Sequence, residues 1–570
     1  MLNFYDFEVF KYDWLVVIIN PITKTKEVIW NDRERLEKYY EAHKNEIYIG
    51  YNSNHYDQYI YKAILCDFNP KEVSDFIVAQ GKKGWQFSSL LRKFPINNYD
   101  VMYRNDRGLK SLEGFMGNNI KETNVSFDID RKLTRAERDD TEKYCTHDVE
   151  QTMEVFLRRK DDFDAQMGLI KLFNLPLSDV SKSKAQLAAT ILKAVRKDRD
   201  DEFDIHFPET LRIKKYKQVV DWYKNPDNRD YKKSLTVNVA GVETLFGWGG
   251  IHSARPKYHG KGYFINMDVA SLYPSLMIQY NLHSRNITDP HDYVQIYHDR
   301  LMYKAEKNPL QLPLKTLLNT TYGAMKDKNN ALYDPLMANN VCIHGQLLLL
   351  DLMEKLEPVA QIIQSNTDGI LIKMPNGCNE DRWFNAIDDI VFEWEQRTCL
   401  KMEFDEYKEI YQKDVNNYVA VPFEGKYKSK GAYVKKLNDL DYDMAIVNKA
   451  ILEYMLHGIH PQRTVNECDD MRMFQKIVKL TGKYKYAWHN GDELDEKCFR
   501  VFASTSKHDT YIGKCKEQGA TIEKFGNTPD KCFIVNDDVK ENAMLNKVDK
   551  NWYINLAIER LNQFGVEVKA

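Results

Sequence analysis

Cysteine is sparse in this sequence: nine in 570 residues, at 66, 145, 342, 378, 399, 468, 498, 515 and 532. They are scattered, odd in number and never spaced C-x-x-C, which excludes a zinc ribbon or a disulfide framework and fits a reducing compartment. Long hydrophobic runs are missing as well. WLVVII (14–19) and the stretch around LLLL (347–350) are too short to span a bilayer. The opening MLNFYDFEVFKYDW is acidic and aromatic and lacks the basic and apolar regions of a secretory leader. No charge of one sign dominates, since 81 Lys+Arg face 84 Asp+Glu. That balance leaves nucleic-acid binding open, because clustering of basic residues on one face is what decides it. No internal repeat is visible, which excludes a solenoid or propeller.

What is present belongs to a folded chain of several domains. The length is several times a typical domain of about 150 residues. Hydrophobic residues at 43% and aromatic residues at 12% argue against extensive disorder. The expectation is a soluble, intracellular, multidomain protein. In the first hundred residues short β-rich runs alternate with helical ones: MLNFYDFEVF, WLVVIINPI and NEIYIGYN as strands, RERLEKYYEAHK as a helix. A helix over 134–160 closes this α/β region, and KSKAQLAATILKAVRK (182–197) reads as another. A boundary falls between 165 and 235. Beyond it, FGWGGIHSA (246–254) is a glycine-rich turn and YFINMD (263–268) a strand. Residues 291–306 and 313–328 are two helices joined by NPLQLP, and 339–358 is a long helix ended by Pro358. IIQSNTDGILIKM (362–374) reads as two strands around a T-D-G turn.

Two constellations carry chemistry. In the first, Asp6 and Glu8 form D-x-E on a strand, where alternation puts both on one face. Asp57 follows in GYNSNHYDQY, and Asp148 lies one helical turn after Tyr144 in YCTHD. Four carboxylates converging on one point repel unless cations lie between them. Two Mg²⁺ or Mn²⁺ would clamp the water and leaving oxygen of a phosphodiester, with Tyr144 orienting the water. A lone D-x-E is common on surface strands; order and spacing make the signal.

In the second, FINMDVASLYPS (264–275) puts Asp268 at the end of a buried strand, followed by Tyr273. LKTLLNTTYG (314–323) carries Lys315, Asn319 and Tyr322 on adjacent helical turns, and SNTDG (365–369) puts Asp368 in the hairpin turn. The logic is phosphoryl transfer: two carboxylates hold two cations, a helical lysine meets a triphosphate and a tyrosine ring shapes a sugar pocket. Arg300 and Lys304 sit four residues apart on the preceding helix, a pattern that ordinary surface charge also produces.

Together these motifs resemble family B DNA polymerases. D-x-E, N-x-x-x-Y-D and Y-x-x-x-D are similar to the three motifs of the proofreading exonuclease. D-V-A-S-L-Y-P-S, K-T-L-L-N-T-T-Y-G and N-T-D-G are similar to polymerase motifs A, B and C. The resemblance implies an α/β and α+β multidomain fold, a ribonuclease-H-like exonuclease joined to a right-hand polymerase of palm, fingers and thumb. It divides the chain into exonuclease (1–165), connecting segment (166–235), palm (236–275), fingers (276–345), palm again (346–436) and thumb (437–570).

The resemblance also implies roles. Asp6, Glu8, Asp57 and Asp148 would be metal ligands for 3′–5′ hydrolysis with Tyr144, and Lys121 is a candidate further catalytic lysine. Asp268, Val269 and Asp368 would hold the polymerase metals, two ions of Mg²⁺ or Mn²⁺ per active site. Tyr273, Arg300, Lys304, Lys315, Asn319 and Tyr322 would bind the dNTP. Asn52, Trp248, Gly249, Gly250, Tyr418, Lys428 and Lys430 would contact primer–template DNA. Motif C departs at Asn366, where aspartate is usual, and also at Gln364 and Gly369. Asn416 replaces the lysine of a K-x-Y element. The lysine-rich segments 426–436 and 471–486 fit contacts to duplex phosphates, although a charge run is usually a solvated face.

The short spacing from Asp268 to Lys315 leaves no room for the insertion of protein-primed members. A compact, monomeric polymerase of a phage or mobile element is implied, acting in the host cytoplasm with no membrane and with undetermined replisome partners. Two competing readings are an exonuclease with a degenerate polymerase half, and an inert nucleic-acid scaffold. A reverse transcriptase is disfavoured, because S-L-Y-P-S and the attached editing motifs do not belong to that group.

Overall fold

A computed structural model describes residues 1–377, 380–517, 521–541 and 543–568. The chain divides into two compact units. Unit 1 comprises Met1–Ser183, Leu437–Ile446 and Cys468–Tyr553, and unit 2 comprises Lys184–Lys436, Val447–Glu467 and Ile554–Ala570.

Unit 1 is built on a five-stranded sheet in the order Thr25–Trp30, Trp14–Asn20, Leu2–Val9, Ile47–Gly50, Asn98–Asp100. The first three strands pair antiparallel and the last two join parallel, the ribonuclease-H-like arrangement. Leu2–Val9 sits in the middle and is buried along most of its length, as the run LNFYDFEV with its aromatic and β-branched residues favours. The helix Arg135–Arg158 packs on it and starts at a capping box between Thr134 and Glu137.

Unit 1 also holds a three-stranded sheet of Lys476–Lys479, Cys498–Ala503 and Cys532–Ile534. The expected thumb (437–570) is therefore distributed between the units. The physical reason lies at Arg500, whose side chain is fully buried. Its guanidinium donates to Gln475 Oε1 at 3.0 Å and to the carbonyls of Gly114 (3.2 Å), Asn118 (2.6 Å), Val535 (3.3 Å) and Asp537. Burial pulls its pKa down to about 10, so it stays charged at neutral pH. Arg472 and Gln475 add bonds to the carbonyl of Phe115. The helix Leu109–Met116 is thus fastened to the late sheet by its own carbonyls.

Unit 2 carries an antiparallel nine-stranded sheet. At its centre, Tyr258–Val269 lies between Met402–Asp414 and Gly369–Lys373. The latter pairs with Gln361–Asn366 across the Thr367–Asp368 turn, the hairpin that the T-D-G sequence predicts. The helices Pro290–Ala305 and Gln311–Met325 lie close to the expected spans. The expected 182–197 helix covers Lys184–Ile191, since the chain turns left-handed at Lys193 (φ 50°). Pro335–Leu356 has the length and apolarity to cross a membrane, but 94% of its most apolar window is buried inside the protein. It is a core helix, and Trp394 Nε1 donates to its Leu348 carbonyl at 2.9 Å. The cysteines among the described residues are free, and Cys378 lies outside the described residues.

Replacing Arg500 with Met takes the donor from three buried acceptors, Gln475 Oε1 and the carbonyls of Gly114 and Asn118, each unmade bond costing about 1–3 kcal/mol. The variant is expected to lose about 3 kcal/mol or more in urea unfolding. An unchanged midpoint would contradict the clamp.

Candidate active sites

In unit 1 the first cluster grows from the central strand. Asp6 and Glu8 share one face of Leu2–Val9, and their carboxylates together with the Cys145 thiol lie within 4.8 Å of one another. The Cys145 Sγ donates to the Asp6 carbonyl at 3.5 Å. Parallel pairing with Ile47–Gly50 ends at Phe4, which leaves the Phe7 N–H free on that side. It donates to Asp57 Oδ1 at 3.1 Å. Asp57 is also the first residue of its helix, where the positive end of the macrodipole favours an acid. Asn52 precedes it in a left-handed conformation (φ 62°) and gives its N–H to Asp100 Oδ1 at 2.8 Å.

Asp148 comes from the helix Arg135–Arg158 and hydrogen-bonds with Tyr144 one turn earlier. It also pairs with Lys110. Lys110 in turn donates to Glu113 Oε1 at 3.1 Å and stands 4.5 Å from the centre of the Tyr144 ring. The lysine at this cluster is therefore Lys110, not the expected Lys121, whose side chain is exposed and whose backbone N–H goes to Glu113 at 3.3 Å.

Electrostatics follow from this crowding. Burial, then the neighbouring carboxylates, raise Asp6 and Glu8 well above the usual carboxylate range. Burial lifts Asp57 to about 7 and Asp148 to about 6, the second being held down by Lys110. Carboxylates that oppose one another's ionisation and offer hard oxygen donors fit divalent cations such as Mg²⁺ or Mn²⁺.

In unit 2 one cleft of about 590 Å³ gathers nearly every polymerase residue expected from the motifs. Asp268, Val269, Tyr273, Arg300, Lys304, Lys315, Asn319, Tyr322 and Asp368 all line it. Asp268 lies opposite Gly369 on one neighbouring strand and opposite Glu403 on the other. The Val269 N–H donates to the Asp368 carbonyl at 2.7 Å, which ties the hairpin turn to the strand end. Gly369 is required there, because a Cβ would lie 1.9 Å from Asp268 Oδ1.

Tyr273 and Tyr322 stack with ring centres 4.0 Å apart and form the apolar wall. Arg300, buried at its base, donates to Ser271 Oγ at 2.9 Å, while Lys304 and Lys315 remain exposed to the cleft. Burial raises Asp268 above the usual carboxylate range, Lys428 opposes the shift and Asp368 adds to it.

The departures from the family pattern have local reasons. Asn366 Oδ1 accepts the Thr367 N–H at 2.9 Å and also hydrogen-bonds with His252, so the amide serves the turn. Gln364 is buried in the sheet. Asn416 sits in a turn, where its backbone N–H donates to Asp414 Oδ1 at 2.8 Å; that bond does not depend on the asparagine side chain. Lys428, on the strand beside Tyr418, approaches Asp268 Oδ2 at 3.5 Å. Tyr418 is buried against Phe264 and Leu371.

Trp248 is not a surface contact. It is buried, donates to the Asn228 carbonyl at 3.0 Å and packs edge-on against Phe203 and Tyr223. A Cβ on Gly250 would meet Thr367 Oγ1 at 2.7 Å, so that glycine allows the loop to approach the turn carrying Asp368. Lys430 faces Tyr418 across the strand pair.

Sequence reasoning missed Lys110, Glu113 and Glu403. Glu403 alone had a signal, the alternating acids of MEFDEYKE on a strand facing Asp268.

No family model matches the chain. Over 201 residues it is 27% identical to DNA polymerase 1 of Saccharolobus solfataricus, a match that takes in 34% of this chain. Over 200 residues it is 25% identical to DNA polymerase 1 of Sulfurisphaera ohwakuensis. In each case the chain spans 21% of the length of the curated relative. Among solved structures, the family B DNA polymerase of the hyperthermophilic archaeon Pyrobaculum calidifontis covers 100% of this chain, which covers 78% of it, at 14% identity and a TM-score of 0.42.

The raised carboxyl of Asp57 makes a pH prediction. Folded, it titrates near about 7; unfolded, near about 3.9. The folded chain then holds a proton that the unfolded chain releases, so stability falls as pH rises through that window. In EDTA, Asp57→Asn should melt higher than wild type at about pH 8, with the gap closing toward about pH 4. Mg²⁺ should raise wild type at the higher pH. An equal gap at both ends would contradict the crowded cluster.

Proposed function

We propose that this chain, whose ordered motifs resemble family B DNA polymerases, is a template-directed DNA polymerase with a 3′–5′ proofreading exonuclease. The observation that carries the polymerase half is the single cleft joining Asp268 and Asp368 to Lys304, Lys315, Arg300 and the stacked Tyr273–Tyr322 pair. A dNTP presents a triphosphate, a sugar and a base, and the cleft answers the first with cations and the second with an aromatic wall.

Asp268 and Asp368 would hold two Mg²⁺ or Mn²⁺ ions, and Asp6, Glu8, Asp57 and Asp148 two more in the other unit. When bound, such ions neutralise charge on the reacting phosphate oxygens and activate the attacking one. The protein's own part in the cleft is to aim Asp368 through the Val269–Asp368 backbone bond, to keep space above Asp268 with Gly369 and to confine the sugar against Tyr273. In unit 1, Tyr144 lies against Asp148, where it can orient a water.

The short motif spacings support a compact polymerase that copies phage or mobile-element DNA, with primer–template DNA and dNTPs as substrates. The reading of a degenerate polymerase half is motivated by Asn366 and Asn416; against it stands the structural use of Asn366, whose Oδ1 accepts the Thr367 N–H in the turn.

The test is a labelled primer–template with Mg²⁺, run with and without dNTPs. Wild type should extend with dNTPs and trim the 3′ end without them. Asp268→Asn and Gly369→Ala should cut extension at least about a hundredfold and spare trimming. Asp6→Ala with Glu8→Ala should do the reverse. Wild type that never extends would overturn the polymerase reading.

A further inference from the structure

Glu113 is fully buried, belongs to none of the motifs and accepts from Lys110 at 3.1 Å and from the Lys121 N–H at 3.3 Å. The His147 ring nitrogen Nε2 approaches it at 3.5 Å. Lys110, one turn earlier on the same helix, has a side chain only 12% exposed. Its ammonium touches the carboxylates of Glu113 and Asp148 and the face of the Tyr144 ring at once. The helix that carries it is fixed from behind, because Arg500 holds the carbonyls of Gly114 and Asn118. Lys110 therefore has little freedom to leave.

We propose that Lys110, anchored by Glu113, is the positioning residue of the unit 1 carboxylate cluster: it fixes the rotamer of Asp148 and the pose of Tyr144, and keeps one positive charge beside the cation site. The inference rests on the exonuclease reading above. A buried ion pair contributes little net stability compared with apolar groups of the same shape, so stability alone gives no reason for this one. Its charge also reaches beyond Asp148, opposing the rise that burial and neighbouring acids impose on Asp6 and Glu8. Two consequences of opposite sign follow. Removing the charge strengthens attraction for a divalent cation, whereas removing the contacts loosens Asp148 and Tyr144 and slows hydrolysis.

The experiment uses the full chain carrying Asp268→Asn and Asp368→Asn, so that Mn²⁺ binding reports unit 1. Mn²⁺ affinity is read by electron paramagnetic resonance, and trimming of a labelled single strand by single-turnover kinetics at saturating Mn²⁺. Lys110→Met should bind Mn²⁺ about threefold to tenfold more tightly yet trim at least about tenfold more slowly. Lys110→Arg should move both values back toward the parent, because it restores charge and hydrogen bonds. If Lys110→Met does not fold, Lys110→Gln carries the same comparison. Weaker Mn²⁺ binding with slower trimming marks general damage and overturns the role, as does unchanged trimming. A parent chain that binds Mn²⁺ but trims nothing overturns the exonuclease reading, and the Mn²⁺ comparison still decides whether Lys110 sets the charge of the cluster.

Discussion

The constraint on which most of this structure depends is the mutual repulsion of carboxylates held close together in a low-dielectric setting. A strand and two helices bring Asp6, Glu8, Asp57 and Asp148 near enough for their charges to couple: Asp57, Glu8 and Asp148 raise Asp6, Asp148 and Asp57 raise Glu8, and Asp148 raises Asp57. Folding tolerates this because three of the four acids have a fixed partner or a favourable dipole. Asp57 accepts the amide of Phe7 and begins a helix, Asp148 is held by Lys110, and Asp6 accepts from Cys145. What remains uncompensated is negative charge that divalent cations would offset.

Unit 2 reaches a similar end by sheet geometry. Antiparallel register puts Asp268 between Gly369 and Glu403, and the Val269–Asp368 backbone hydrogen bond ties the turn that carries Asp368 to the strand end. Small residues are needed where groups must approach, which is why glycine follows Asp368 and Gly250 packs on Thr367. Arg300, Lys304 and Lys315 sit on helices outside the sheet that carries Asp268 and Glu403, and all five line the same cleft.

Much of this was legible in the sequence because motifs record local geometry. D-x-E on a strand, Y-x-x-x-D on a helix and N-T-D-G in a hairpin each fix side chains within a few residues, and each landed on the expected element. Lys110 was not legible, since its contact with Asp148 crosses 38 residues and its sequence context, LKSLEG, carries no periodic or motif signal. The burial of Trp248 was not legible for a related reason: the resemblance implied a DNA contact there, but its packing depends on Phe203 and Tyr223, which are distant in sequence. The division of 437–570 between units depends on the carbonyls of Gly114 and Asn118 and could not be inferred from the charge runs in that segment.

The central claim, that two separate carboxylate clusters exist to hold divalent cations, is tested most directly by anomalous diffraction from crystals soaked in Mn²⁺. The account predicts anomalous peaks at Asp268 and Asp368 and, independently, at Asp6, Glu8, Asp57 and Asp148. Saturating Mn²⁺ with no peak at either cluster would contradict it.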